Sequence, residues 1–397
     1  MKYKKILIIT YALNQGGMEQ SLSRLVKYLK DEENAVSILL TENKGDWFDL
    51  FNENYCSAVC IPESKGGAVI HLFRIRDYIV KSNCDILYIV CDKFTQSIIP
   101  LLPRRIKIIS AVRLDDAYFY YLASTNQSFV DAYAVNSLKL HDELKKLIKD
   151  QPIEIIHNGF QIPNQETIEK RTKYEIPLKL LFLGRIAAEK NVLILPDIIR
   201  KCIDLKLNVT LNIVGDGPLM SELKSKIKLL KLETYINIIG SVSNNEAQSW
   251  YLQSHVLLFP SLSEGLPNVL IESQGCGCVP ISNLLPKVTD TVVAENNTGF
   301  IAKNNDVDEY VEKIIYLYQN PNICSTLSKN AIEWIEQNFS TTQEKKKYIN
   351  IFNNVITIEK RKYRLINPFQ IFRLIHIRDW TPLKVKNIKH KIEKFFT

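Results

Sequence analysis

Glu264 and Glu272, with seven residues between them, bracket the turn of PSLSEGLPNVLIESQGCGCVP at positions 260–280. Leu257, Leu258 and Phe259 form a buried-strand pattern just upstream, Gly265 and Pro267 mark a turn, and Val269 to Ser273 has helical character. The acids therefore lie where a strand hands over to a helix. In an open parallel sheet that crevice is where nucleotides bind. A helix start presents free N–H groups, so the backbone near Asn268 can cradle phosphate or sugar oxygens. Asn268 and Glu272 are four apart and share a helix face. Glu264 and Glu272 can then converge on a polyhydroxylated ligand, since carboxylates accept from sugar hydroxyls. A solvated turn and a surface helix face fit the same two acids.

Four further segments suit a nucleotide diphosphate. Gly16-Gly17-Met18-Glu19 follows the opening strand and begins a helix, where glycine lets backbone approach a phosphate closely; a plain tight turn fits equally. Gly184-Arg185 ends another strand, with Lys190 five residues beyond Arg185, and two cations in one crevice would stabilise a departing diphosphate. Val214-Gly215-Asp216-Gly217-Pro218 is expected to shape the crevice floor. Gly240-Ser241-Val242 follows a strand, and its backbone could read a nucleobase edge.

The elements that must hold these residues alternate. Apolar runs predict strands at 6–10, 36–40, 86–90, 106–112, 132–135 and 153–156, then at 180–183, 209–214, 236–239, 256–259 and 279–282. Helical patterns cover 18–30, 137–149, 219–231, 306–319 and 322–338. Such alternation predicts an α/β protein of two doubly wound, Rossmann-like domains around a cleft. The polar interval 161–174 reads as the linker, which gives one domain over 1–168, a second over 169–340, and a basic extension over 359–397.

A length of 397 residues and 46% hydrophobic content fit two or three folded domains. Positions 360–397 carry eleven Lys and Arg against Asp379 and Glu393, a charge of +9, so the rest of the chain, at about −1, is near neutral and the net charge of +8 belongs to the tail. That confinement argues against a nucleic-acid groove and for an anionic membrane surface met by one end of the molecule. The tail's Phe369, Ile371, Phe372, Leu374, Ile375, Ile377 and Trp380 strengthen this. The opening MKYKKILIITYAL reads as a first strand and not a leader, and no apolar run reaches the about 18 residues a membrane span needs. A cytoplasmic protein, peripheral on the inner face of the cell membrane, is expected. Eight scattered cysteines read as reduced core thiols, without finger-like metal spacing. His71, His141, His255, His376 and His390 read as lacking an acid or serine partner nearby, and no hydrolase triad follows from them.

In their order, Gly184-Arg185 with Lys190, GDGP at 215–218, SEGLPNVLIES at 263–273 and Thr298-Gly299-Phe300 resemble the retaining, nucleotide-sugar-dependent glycosyltransferases of family four, which have the GT-B fold. The resemblance covers roughly residues 5 to 355, and makes 1–168 the acceptor-side and 169–340 the nucleotide-sugar-binding domain. It implies that Arg185 and Lys190 bind the donor diphosphate, Glu272 holds the ribose hydroxyls and Glu264 lies by the transferred sugar. Backbone of Gly265, Leu266, Pro267 and Asn268 would contact sugar and phosphate, with Gly16 and Gly17 closing over the donor. No divalent metal and no cofactor are expected. The last helix, about 341–358, would return to the N-terminal domain. The implied activity is transfer of a hexose or N-acetylhexosamine to a growing, lipid-linked surface glycan. A nucleotide-sugar epimerase and a catalytically silent binding subunit are the alternatives.

This chain also departs from the family. Where many relatives place a histidine after the strand at 106–112, it reads Ala111-Val112-Arg113-Leu114-Asp115-Asp116. Arg113 would take the histidine's place, and Asp115 or Asp116 would face the acceptor or sit in a salt-bridged loop. Lys190-Asn191 stands where Lys-Gly is common, and Asn283-Leu284-Leu285-Pro286 replaces a Gly-Gly turn. His157 occupies a place usually held by proline and is expected to be structural.

Overall fold

The computed structural model describes residues 4–14, 16–63, 67–90, 92–171 and 174–358, without the side chains of Asn244 and Asn245. The basic tail at 359–397 and its proposed membrane role therefore lie outside the described residues. The described residues divide into two compact units: 4–136 with 140–156 and 345–358, and 137–139 with 157–344. The change of unit at Ile156 falls ahead of the boundary at 168 that composition indicates. The polar interval contains a short helix, Gln165–Glu169, capped by the Asn164 side chain, and lies in the second unit.

In the first unit, β1 (Lys5–Thr10), β2 (Ala35–Leu40), β3 (Ser57–Cys60), β4 (Ile86–Val90), β5 (Lys107–Val112), β6 (Ala132–Val135) and β7 (Ile153–Ile155) form one parallel sheet. Its order is β3-β2-β1-β4-β5-β6-β7. Side chains alternate across it: Ile6 and Ile8 join a core with helix Gly17–Asp31, and Leu7 and Ile9 join another with Ile75 and Ile79 of helix Gly67–Ser82. Tyr348, Ile351, Phe352 and Val355, from the last helix Thr341–Thr357, complete the first of these cores. From Lys345 onward that helix belongs to the first unit, as the resemblance implies.

The second unit repeats the winding. Its strands are β8 (Leu178–Leu183), β9 (Val209–Val214), β10 (Ile236–Gly240), β11 (Val256–Phe259), β12 (Val279–Asn283) and β13 (Phe300–Ala302), ordered β10-β9-β8-β11-β12-β13 and parallel throughout. Leu180 and Phe182 face a core shared with helices Leu195–Asp204 and Val307–Gln319, while Leu181 packs with Tyr251 and Leu270 on the opposite side. Strand order reverses between β8 and β11, whose Leu180 and Leu181 pair with Val256 and Leu257. The ends of these two strands form the topological switch point, where ligands of such sheets bind. Both elements singled out in the sequence, Gly184-Arg185 and 260–268, issue from it.

Candidate active site

Three strand ends are fastened together under this switch point. Gly184 N donates to Val214 O at 3.0 Å, Ile186 N to Asp216 O at 2.9 Å, and Gly215 N to Gly240 O at 2.8 Å. Gly215 has φ +138°, and a Cβ there would stand 1.9 Å from the Gly184 carbonyl oxygen, so backbone meets backbone with no room for a side chain. The GDGP segment thus builds the crevice floor, as read. Arg185 leaves this floor exposed, and its side chain makes no hydrogen bond or ion pair among the described residues.

Lys190 ends a single turn, Ala188–Lys190, that is tied directly to the loop after β11: Leu262 N donates to Glu189 O at 2.8 Å and Ser261 Oγ to the same oxygen at 3.2 Å. That clasp brings Lys190 Nζ into an ion pair with Glu264 Oε1, both side chains largely covered. The single Ser261 hydroxyl proton is shared between Glu189 O and Glu264 Oε1, the nearer acceptor at 2.6 Å. Asn191, where glycine is common, has φ 53° and ψ 37°. Asparagine is one of the few residues that occupy this left-handed region at low cost, so the departure preserves the backbone.

A buried brace holds the Glu264 loop from below. Asn283 Nδ2 donates to Pro260 O at 2.7 Å and Ser261 O at 3.2 Å, and the Tyr310 hydroxyl lies 3.0 Å from Phe259 O and 3.1 Å from Asn283 Oδ1. Burial pushes the Tyr310 phenol well above its usual range, so it stays a donor. Asn283→Ala strands the two loop carbonyls. It should cost about 1–3 kcal/mol, read as a lower urea midpoint with an unchanged slope; an unshifted midpoint would mean the brace carries no load.

Glu272 projects from helix Asn268–Gly275, whose start no side chain caps. Tyr251, fully buried on the neighbouring helix, donates its hydroxyl to Glu272 Oε2 at 3.0 Å, and Asn158 Nδ2 donates to Asn268 Oδ1 at 3.0 Å. Gly265 and Leu266 are half-buried and Pro267 is buried in the intervening turn. After β10, Ser241 is exposed and Val242 packs partly on the core. Ser261, Tyr251 and Asn158 escape sequence reading. Ser261 carries only the spacing S-x-x-E as a signal, and the other two lie too far along the chain to carry any.

In the first unit the candidate residues have visible structural occupations. Gly16 is extended at φ −179° and precedes helix Gly17–Asp31, and Glu19 of its first turn is buried with Oε1 accepting from Asn14 N at 3.1 Å. The protein's own carboxylate therefore lies at the helix start beside Gly16 and Gly17. Burial raises the Glu19 pKa above 4.5, against hydrogen bonds from backbone N–H groups that lower it. The folded chain then holds this proton longer than the unfolded one, so wild-type stability falls as pH rises from 4.5 through the raised value. The melting temperature of Glu19→Gln relative to wild type should accordingly rise from pH 4.5 to neutrality; a constant difference would contradict the buried charge.

Arg113 Nη2 donates to the Tyr88 hydroxyl at 3.1 Å and to the Tyr348 hydroxyl, while its Nη1 is buried without a partner. Asp116 caps helix Ala117–Thr125 by accepting from Tyr118 N at 2.8 Å, and Asp115 Oδ1 accepts from the Tyr120 hydroxyl at 2.8 Å. Local hydrogen bonding thus accounts for both aspartates. His157 packs its ring on Phe339, centroids 4.8 Å apart, in keeping with a structural role. His141 corrects the histidine reading, for its Nδ1 lies 3.0 Å from Oδ1 of the adjacent Asp142. Among the described residues no three His, Cys, Asp or Glu side chains gather as a metal site, and no helix is long and apolar enough to cross a membrane. The seven cysteines among the described residues are free thiols, six of them buried; burial pushes Cys202 and Cys278 up to about 12.

Residues 163–334, nearly the whole second unit, match the family model of the glycosyl transferases group 1. An α-1,4-N-acetyl-D-galactosaminyltransferase of Campylobacter jejuni, named for an undecaprenol-diphosphate-linked acceptor, is 25% identical over 82% of this chain and 92% of its own. A glycosyltransferase structure from Rickettsia africae superposes with a TM-score of 0.76 at 18% identity, covering 90% of this chain and all of that one. Anabaena HepE, solved with UDP and glucose, superposes at 0.73 and 17% identity over 89% and 100%. These structures establish a shared fold of two parallel-sheet units, and the family match falls on the unit that carries Arg185, Lys190, Glu264 and Glu272. The chain is a glycosyltransferase with the GT-B fold, and residues 163–334 of its second unit are similar to the group 1 glycosyl transferases.

Proposed function

We propose that the chain transfers a hexose or N-acetylhexosamine, with retention of anomeric configuration, from a nucleotide diphosphate sugar to a growing lipid-linked surface glycan such as capsule or O-antigen. The observation that carries this is the Lys190–Glu264 pair at the switch point, flanked by exposed Arg185 and by Glu272 on the following helix. The bond from the sugar's anomeric carbon to the diphosphate breaks while the acceptor oxygen bonds to the same face. Arg185 and Lys190 offset the charge on the leaving diphosphate, which takes up the acceptor's proton. Glu264 positions the sugar and supports its developing positive charge, and Glu272 accepts from the ribose hydroxyls. The Campylobacter relative supports the lipid-linked acceptor, and HepE, solved with UDP and glucose, supports the donor class.

The reaction needs no metal in this reading, since two cations and a helix start oppose the diphosphate charge. EDTA should leave turnover unchanged; loss of turnover restored by a divalent ion would overturn the metal-free mechanism. The enzyme would work in the cytoplasm at the inner face of the cell membrane, reaching anionic lipid with the basic segment 359–397. A panel of nucleotide sugars with and without lipid-linked acceptor, scored for nucleoside diphosphate release, tests the whole. Release that rises with acceptor is expected. Donor epimerisation without transfer, or binding without turnover, would favour an epimerase or a silent binding subunit instead.

A further inference from the structure

Helix Asn268–Gly275, which carries Glu272, is held at both ends by the short segment after Ile156, and both lie in the second unit. Phe160 N donates to Phe339 O at 2.8 Å and Thr341 N to Phe160 O at 3.3 Å, which fixes the segment beside the start of helix Thr341–Thr357. At the end of helix Asn268–Gly275 the Phe160 ring lies so close that a Cβ on Gly275 would stand 2.5 Å from its Cδ1. At the start of the same helix Asn158 Nδ2 donates to Asn268 Oδ1 at 3.0 Å. Phe160 thus seats the helix, and Asn158 sets the rotation of one amide at its first residue.

That amide matters because the backbone of Asn268 is committed. Its N–H donates to Leu266 O at 3.0 Å, so what this residue can donate to a ligand is its side chain. An amide carries an accepting oxygen and a donating NH2 group. With the oxygen taken by Asn158, the NH2 group is the part left to face a ligand, and it makes no hydrogen bond among the described residues. Asn268 stands four residues ahead of Glu272, about one turn or 5.4 Å nearer the loop of Glu264. A nucleotide diphosphate sugar has the order sugar, diphosphate, ribose. With Glu264 by the sugar and Glu272 by the ribose, Asn268 falls where the diphosphate passes.

We infer that Asn158 is a positioning residue for the donor: it turns the Asn268 amide so that the NH2 group, and not the oxygen, meets the diphosphate. An amide free to rotate would spend part of its time presenting its oxygen, which repels phosphate oxygens. The inference rests on the donor reading above and adds to it a residue that touches no ligand itself.

A double-mutant cycle on the full chain separates this role from that of a merely structural brace. Calorimetry identifies which of UDP, GDP, ADP, CDP and dTDP the wild type binds, and that one is titrated into Asn158→Ala, Asn268→Ala and the pair. Asn268→Ala should raise Kd about tenfold or more, as for a lost hydrogen bond to a charged group, and Asn158→Ala about fivefold. Together they should be no worse than Asn268→Ala alone. Asn158→Asp keeps a hydrogen bond to Asn268, so the fold is not at stake, but it can only accept and so draws the NH2 group to itself. It should weaken binding by a larger factor with Asn268 present than in the Asn268→Ala background, where only its charge acts. Wild-type affinity in Asn158→Ala or Asn158→Asp, or alanine effects that multiply, would overturn the inference while the donor reading stands. A wild-type chain that binds none of these diphosphates would overturn the donor reading, and the inference with it.

Discussion

Arg185→Ala and Lys190→Ala should each lower turnover by about 100- to 1,000-fold, the range seen when one group opposing transition-state charge is removed. Charge on the diphosphate grows as the sugar bond breaks, so kcat should fall further than KM for the donor rises. The two variants differ in their side effects. Arg185 is exposed and unpaired among the described residues, and its removal should leave the thermal midpoint unchanged. Lys190→Ala deprives Glu264 of its cation while the Ser261 hydroxyl still donates to it, so this variant should also lose some stability. Steady-state kinetics on the two, with thermal unfolding alongside, checks both statements. Wild-type kcat in Arg185→Ala would remove that residue from the reaction.

Glu272→Ala should weaken nucleotide diphosphate binding by about 1.5–3 kcal/mol, roughly 10- to 150-fold in Kd, through loss of a charged acceptor. Alanine also strands the buried Tyr251 hydroxyl, which donates to this carboxylate. Glu272→Gln separates the two effects, because an amide oxygen still accepts from Tyr251 while the charge is gone. The amide variant should fold with nearly wild-type stability and still bind donor more weakly. Calorimetric titration of the nucleoside diphosphate into both variants reads this directly. Wild-type affinity in both would take Glu272 out of the site.

Much of this site is visible in the linear chain because the strands that carry it are buried on both faces. Phe182, Ile213 and Leu258 sit in runs of apolar residues whose ends coincide with Gly184, Gly215 and Pro260, so the loops of the switch point can be located before any coordinates. Edge strands β3 and β13 carry only SAVC and FIA and do not register, whereas edge strand β7, just as short, is marked by Ile153, Ile155 and Ile156. A polar segment can be a capped helix as readily as a linker, as Gln165–Glu169 is, so polarity alone does not fix the domain boundary. What no local pattern carries is the set of contacts that join distant segments: the clasp of Leu262 on Glu189, the Asn283–Tyr310 brace, and Tyr251 under Glu272. Sequence proximity likewise hid the local duties of Asp115 and Asp116, since a helix cap and an acceptor contact call for the same residue type.

The central claim is transfer with retention from a nucleotide diphosphate sugar. Proton NMR of the full reaction, following the anomeric signals of donor and product in real time, tests it most directly. An α-linked donor should give an α-linked product, one nucleoside diphosphate appearing for each sugar transferred, and Arg185→Ala should slow both together. A β-linked product from that donor, or a donor that epimerises while no glycosidic bond forms, would contradict it.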